Sequence, residues 1–387
     1  MPDVHSRLGA SSSHRWMNCP GSVKLCEAVP DKGSSYAEEG TLAHSLAELI
    51  INYNLGRIKK TEFNKEMKKI QGSQYYSQEM QDYIKDYTER VWELMNAAKS
   101  ISKDAVLLTE QRLDFSEWVP DGFGTGDVVI VYDRVIHIID LKYGKGVGVS
   151  AEENPQLMLY GLGALSSYDM LYDIEKVILT IIQPRLDSIS TYETTAAELL
   201  EWGEKKVRPA AEETLKDDAK CVAGEWCRFC KVKAVCRARK DAMTELAKME
   251  FSDPRLLEDY EIGEVLRLAD QLTAWAGDVK DYAQEEAEKG KKWDGWKLVE
   301  GRSNRKYSNE AKVAETLKEA GYDEALLYEK KLYGITAMEK IVGKKPLAEL
   351  CGSLIIKPPG KPVLVPESDK RPEINSADSA KKDFEEE

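Results

Sequence analysis

The stretch GTGDVVIVYDRVIHIIDLK, residues 124–142, constrains the fold more than any other part of the chain. It holds two runs of β-branched residues around Asp133-Arg134, the pattern of a tight β-hairpin. With the turn there, Tyr132 stands opposite Val135. The constant sum of an antiparallel register then sets Asp127 opposite Asp140. Their Cβ atoms fall roughly 5 Å apart on one face, and Lys142 points to that face as well. Val129, Val131, Ile136 and Ile138 fill the rest of it, while Val128, Ile130, Ile139 and Leu141 fill the other. A sheet apolar on both sides needs helices on both sides. The expected fold is therefore α/β, a mixed central sheet flanked by helices, with a helical C-terminal addition.

Helices are expected on both sides of the hairpin in sequence. SSYAEEGTLAHSLAELIINYNLG reads as one that Gly56 ends, and QEMQDYIKDYTERVWELMNAAK has apolar residues at helical spacing. NPQLMLYGLGALSSYD and TTAAELLEWGEKKVRPAAEETLKDDA are further helices. AVLLTEQRLDFS and EKVILTIIQPR read as strands. Beyond Asp241 the chain is helical and charged. WDGWKLVEGRSNRKYS looks like a short strand or hairpin, and NEAKVAETLKEAGYD and ITAMEKIVG like short helices. From Lys357 it is Pro-rich and then acidic, the composition of a disordered tail.

Two opposed carboxylates at the end of an apolar hairpin repel each other, and a bound divalent cation removes that penalty. Carboxylate oxygens suit Mg²⁺ or Mn²⁺. Such an ion polarises a phosphodiester and acidifies a bound water, and a lysine at Lys142 stabilises the charge that develops.

A second chemistry lies in the cysteines. Cys227, Cys230 and Cys236 form C-x2-C-x5-C, and Cys19 lies about two hundred residues upstream in RWMNCPGS. Together they form a candidate thiolate site, for an iron–sulfur cluster or a structural Zn²⁺. Cys26 and Cys221 are the spare ligands, Cys221 the stronger of the two, and Cys351 reads as a buried thiol. The chain has 387 residues and a formal net charge of -13, which disfavours coating of nucleic acid by the whole surface. A local basic track is present at Arg228, Lys231, Lys233, Arg237, Arg239 and Lys240. No run is long enough to span a bilayer, and MPDVHSRLGASSSHRW lacks the apolar stretch of a secretory signal. The expected location is the cytoplasm, where cysteines stay reduced or bind metal.

G-x-x-D, then D-x-K ending the next strand, then Q-L-x-x-Y on a helix resembles the RecB-like branch of the PD-(D/E)XK nucleases. Gly124 and Asp127, Asp140 and Lys142, and Gln156, Leu157 and Tyr160 are the matching residues. EEGTLAHSLAE resembles that branch's first motif, in which a helix histidine joins the metal site. His44 is the match, with Glu48 one turn on, and Glu110 is a possible supporting acid. The sequence departs from the pattern in having Gly126, not Pro, before Asp127. The cysteine spacing resembles the iron–sulfur clasp of the AddB-type and CRISPR-associated members. The resemblance covers residues 10 to 245. It implies a metal-dependent DNA nuclease with a metal at His44, Asp127 and Asp140, Lys142, Gln156 and Tyr160 in catalysis, and a [4Fe-4S] cluster on Cys19, Cys227, Cys230 and Cys236.

The chain also resembles a poorly characterised group of phage and prophage proteins. That implies a bacterial host cell and an exonuclease of phage replication or recombination. Its partners would be DNA and phage single-strand-binding or replication proteins, with no membrane. The expected organisation is a nuclease core with its clasp over 1–245, a helical region over 246–356 and a tail over 357–387. Two rivals remain: a non-catalytic DNA-binding or scaffolding protein of the same fold, and a zinc-stabilised interaction module.

Overall fold

The computed structural model describes residues 6–30, 33–248, 259–297, 310–319, 338, 343–351 and 354–355. The expected tail lies outside the described residues, as do most of the expected helix ITAMEKIVG and the second half of WDGWKLVEGRSNRKYS. The chain forms two compact units, Met1–Ala283 and Gln284–Glu387.

The first unit opens with short helices α1 (Ser13–Asn18) and α2 (Ser22–Glu27), then α3 (Ser35–Asn54), α4 (Lys60–Gln71) and α5 (Gln78–Ile101). Ser34 caps α3 by accepting from the Ala37 N–H, and Ser77 caps α5 by accepting from the Met80 N–H. Gly56, at φ 72°, takes the left-handed turn that closes α3. Strands β1 (Val106–Asp114), β2 (Phe123–Tyr132) and β3 (Val135–Leu141) follow. The crossover helix α6 (Pro155–Tyr172) leads to β4 (Lys176–Gln183) and β5 (Ser188–Thr195). Next come α7 (Ala196–Trp202), a five-residue π-helical turn at Gly203–Val207, α8 (Arg208–Leu215) and α9 (Arg237–Lys248). The long helix α10 (Asp259–Glu288) continues into the second unit, where an isolated bridge joins Trp293 to Trp296 and helices α11 (Glu310–Glu319) and α12 (Lys344–Cys351) are described.

The sheet is mixed, with its five strands in chain order. The β2–β3 register places Tyr132 opposite Val135 and Val128 opposite Ile139, as the hairpin pattern requires. β3 and β4 are parallel, joined through α6, and the remaining neighbours are antiparallel. The two faces bury different cores. Val129, Val131, Ile136 and Ile138 pack with α6 residues such as Leu157, Leu159 and Leu162. Val128, Ile130, Ile139 and Leu141 pack with Leu46 of α3 and Ile84, Tyr87 and Val91 of α5. Gly163 lets α6 approach β1: a Cβ there would meet the Leu113 carbonyl carbon at 2.8 Å.

His137 of β3 is buried, its Nε2 2.8 Å from Thr180 Oγ1 of β4. Burial disfavours the imidazolium and pulls its pKa down to about 4. Above pH 6.5 the histidine is neutral whether folded or unfolded, and it costs nothing. As pH falls towards 4 only the unfolded chain takes the proton, so stability is lost across that window. Between pH 7 and pH 4 the wild type is expected to lose on the order of 3 kcal/mol more than His137→Gln. Urea midpoints of the two proteins against pH measure it, and parallel curves would refute it.

Candidate metal centre and cysteine recess

The alternation of both strands changes sides at one place. Leu107 of β1 belongs to the core under α3 and α5, whereas Leu113, six residues on, belongs to the core under α6. In β2, Val128 faces the first core, while a Cβ on Gly124 would strike the Tyr160 ring of α6 at 2.6 Å. Between these points lies Glu110, at φ 48° in mid-strand, and the paired register passes over it and Asp127. A non-glycine residue in the left-handed region marks a locally forced backbone. Here the kink turns the two acids towards α3.

His44 of α3 meets them. Its Nδ1 lies 3.0 Å from Asp127 Oδ1. Among the described residues, His44, Glu110 and Asp127 are the group of three His, Cys or acidic side chains whose donor atoms lie within 4.8 Å of one another. Asp127 Oδ2 accepts the Leu141 N–H at 2.7 Å, which ties β2 to the end of β3. Glu48, one turn beyond His44, lines the same small cavity, as do Ile51, Tyr87 and Val128. Burial disfavours a charge on every member, and the neighbours decide the result. The His44 charge and hydrogen bond, with the Leu141 N–H, keep Asp127 below the usual carboxylate range. Burial opposes the His44 imidazolium, but Asp127, and then Asp140 and Glu110, raise it to about 9. Burial, then the charges of Asp127 and Glu48, push Glu110 up to about 7.

The remaining predicted residues form a chain of contacts beside this trio. Asn154 caps α6 by accepting from the Gln156 and Leu157 N–H groups, and Pro155 follows at the first helical position. That cap places Gln156 and Tyr160 one turn apart on the face towards β3. Lys142 Nζ lies 2.9 Å from Asp140 Oδ2 and donates to Gln156 Oε1 at 2.9 Å. Gln156 Nε2 donates to the Tyr160 hydroxyl at 3.1 Å and to Asp140 Oδ1 at 3.4 Å. Burial raises Asp140 above the usual carboxylate range, against the pull of Lys142. Burial works against the Lys142 charge as well, but Asp140 and Asp127 hold the ammonium above its ordinary value. The structure thus gathers His44, Asp127, Asp140, Lys142, Gln156 and Tyr160 at one end of the hairpin and brings in Glu110. Asp140 is held by Lys142 and Gln156, while His44 and Glu110 converge on Asp127. Gly124 has its reason here, since it makes room for the Tyr160 ring.

The second predicted site also assembles. Cys19 Sγ accepts the Val222 N–H at 3.2 Å, and the Gly21 N–H donates to the Lys220 carbonyl at 2.9 Å. Gly21 is needed for this approach, because a Cβ there would lie 2.4 Å from the Ala219 oxygen and 2.8 Å from Cys221 Sγ. Cys19, Cys221, Cys227, Cys230 and Cys236 line one recess, partly open to solvent. Cys26 stands behind it, 3.7 Å from Cys230 Sγ, and accepts from Arg15 Nη1 at 3.2 Å. The Cys230 hydrogen bond, opposed by burial and helped by Arg15, holds Cys26 down at about 6. Burial, with Cys19 and Cys236 nearby, pushes Cys221 up to about 11. Cys26 and Cys221, the spares in sequence, belong to the same group as the four predicted ligands. Cys351 lies in the second unit.

The basic track is partly consumed within the protein. Lys233 Nζ lies 2.7 Å from Asp278 Oδ1, and Arg239, which is buried, lies 2.6 Å from Asp278 Oδ2. These pairs fasten the segment after the cysteines to α10.

Residues 5–372 match the pattern of a family described as "Protein of unknown function (DUF2800)", and the chain belongs to that family. A solved structure described as "Crystal structure of SSO0001" aligns with 51% of this chain and 96% of its own, at 19% identity and a TM-score of 0.20, too low to carry an argument. Among the described residues no helix is long and apolar enough to cross a membrane.

Proposed function

We propose that this protein is a divalent-cation-dependent nuclease of the RecB-like PD-(D/E)XK type, acting on DNA as an exonuclease in phage replication or recombination. The observation that carries this reading is the convergence of His44, Glu110 and Asp127 beside the Asp140–Lys142–Gln156–Tyr160 chain. One imidazole and several carboxylates form a donor set suited to Mn²⁺ or Mg²⁺. A cation held there would polarise a phosphodiester and acidify a bound water. His44, Glu110 and Asp127 would hold it, with Asp140 completing the set. Lys142 stabilises developing negative charge and opposes the upward push of burial on Asp140. Gln156 orients the Lys142 ammonium, and Tyr160 orients Gln156.

The test is Mn²⁺- or Mg²⁺-dependent degradation of end-labelled DNA, single- and double-stranded, linear and circular. Cation binding without cleavage would replace the enzyme with a DNA-binding scaffold of the same fold. Lys142→Ala is expected to lower the rate by about 100-fold or more, the usual scale for a group that stabilises transition-state charge. Mn²⁺ binding should stay largely in place, because Lys142 is not itself a ligand. Loss of Mn²⁺ binding alone would refute this role.

We further infer that the cysteine recess holds a [4Fe-4S] cluster. Tetrahedral Zn²⁺ with sulfurs at about 2.3 Å draws four thiolates to about 3.8 Å from one another. Among the described residues no three cysteine sulfurs lie within 4.8 Å of one another. The support for the iron–sulfur occupant is that Cys19, Cys227, Cys230 and Cys236, thiolates of the type that hold such clusters, line one recess.

A further inference from the structure

Tyr87 of α5 is 1% exposed and among the largest fully buried side chains. Its ring packs in the core under α3 and α5. Its hydroxyl has no hydrogen-bond partner among the described residues. A buried hydroxyl left unpaired costs about 1–3 kcal/mol, and phenylalanine would fill the same space without that cost. The side chain lines the same cavity as His44, Glu48, Glu110 and Asp127. Burial and the nearby charges of Asp127, Asp140 and Glu110 hold the phenol well above its ordinary pKa, so it remains a proton donor. Each neighbouring carboxylate is an acceptor. The hydroxyl is bonded to none of them, and Tyr87 lines the cavity that Glu48, Glu110 and Asp127 share.

We propose that Tyr87 is a positioning residue of the metal centre, whose hydroxyl donates a hydrogen bond to a water bound on the cation. This rests on the reading of His44, Glu110 and Asp127 as cation ligands. The acceptor is a water because Tyr87 lies beneath α3 and α5, where the burial that encloses it also excludes a DNA strand. The hydrogen bond fixes one position of the cation's coordination shell from behind. Without the cation the hydroxyl has no protein partner among the described residues. Outer-shell partners of this kind commonly set metal affinity by 10–100-fold.

The experiment compares wild type with Tyr87→Phe in three measurements: melting temperature without a cation, Mn²⁺ affinity from water-proton relaxation, and Mn²⁺-dependent DNA cleavage. The variant is expected to melt at or above the wild-type temperature without cation. It should bind Mn²⁺ about 10-fold more weakly, show a smaller relaxation enhancement per bound Mn²⁺, and cleave more slowly at saturating Mn²⁺. A cation-free variant that fails to fold or melts lower would make Tyr87 merely structural and overturn the inference. Wild-type Mn²⁺ affinity and rate in a folded variant would overturn it while leaving the nuclease reading intact. Wild type that binds no Mn²⁺ would remove both together.

Discussion

Asp127→Asn is expected to lose about a thousandfold or more of the cation-dependent cleavage, the cost of removing a principal electrostatic group from an active site, while keeping its fold. The geometry separates the two effects. Asp127 uses Oδ2 to accept the Leu141 N–H and Oδ1 to face His44. Asparagine retains one carbonyl oxygen, which can keep the Leu141 bond and the end of the hairpin. Its amide then presents N–H donors to His44 and Glu110, where a cation needs an oxygen. Loss of the carboxylate also releases His44 from the charge that holds its pKa at about 9, so the imidazole returns towards neutrality. Cleavage by the purified variant, its Mn²⁺-induced rise in melting temperature and its circular dichroism together test this. A variant retaining a tenth of wild-type activity would remove Asp127 from the metal centre.

The second large effect is expected at Cys19. Its thiolate would link α1 to the segment around Cys227, closing a loop of more than 200 residues; the neighbouring contact from Val222 to Cys19 already spans 203. Such a closure stabilises by restricting the unfolded chain, on the order of 5 kcal/mol for a loop of this length. Protein purified without oxygen should be brown. Cys19→Ala and Cys230→Ala should lose the colour and melt far lower, although neither residue lies among the cation ligands. Colour, iron and sulfide content and melting temperature are the measurements. Colourless wild-type protein with stoichiometric zinc would substitute a zinc clasp and leave the nuclease reading standing. Colour retained by Cys19→Ala and lost by Cys221→Ala would move the fourth ligand to Cys221. Cys26 lies beside Cys230 rather than on the recess wall, so Cys26→Ala should keep the colour.

Most of the sheet was legible in the residues. Period-two runs of valine and isoleucine gave β2 and β3, and the Asp133-Arg134 turn set a register that the structure repeats from Tyr132–Val135 to Val128–Ile139, one pair short of the expected Asp127–Asp140 pair. The two apolar faces required the helices that cover them. β5 was not legible, because Ser188, Ser190 and Thr191 at the sheet's edge give it no apolar period. The helix α4 also escaped, although Phe63, Met67 and Ile70 are helically spaced and pack in the core, and the short α1 and α2 escaped for having too few turns. In the candidate site, the aspartates and Lys142 follow from the hairpin spacing, whereas Gln156 and Tyr160 come from the resemblance to the nuclease motifs. The part played by Glu110 does not, because a strand pattern assumes an unbroken alternation that its positive φ interrupts. Tyr87 was invisible for a different reason: in a helix period, a tyrosine facing the core is indistinguishable from ordinary packing. A basic run cannot show that Lys233 and Arg239 are engaged by Asp278, since that carboxylate lies 39 residues beyond Arg239.

The strands lie side by side in the order in which the chain is made. β2 and β3 meet across two residues and can pair within microseconds, and β1 joins across a short connection. The parallel β3–β4 contact must wait for α6 to be laid over it, and local pairings of the first kind run ahead of such crossovers. The ligand trio draws one member from α3 and two from β1 and β2, and its neighbours come from β3 and α6. A chain can therefore own a complete hairpin and still hold no cation. On the proposed nuclease reading, cleavage would become possible only late in folding, after both layers have closed on the sheet, and a half-folded chain would be harmless to the DNA around it.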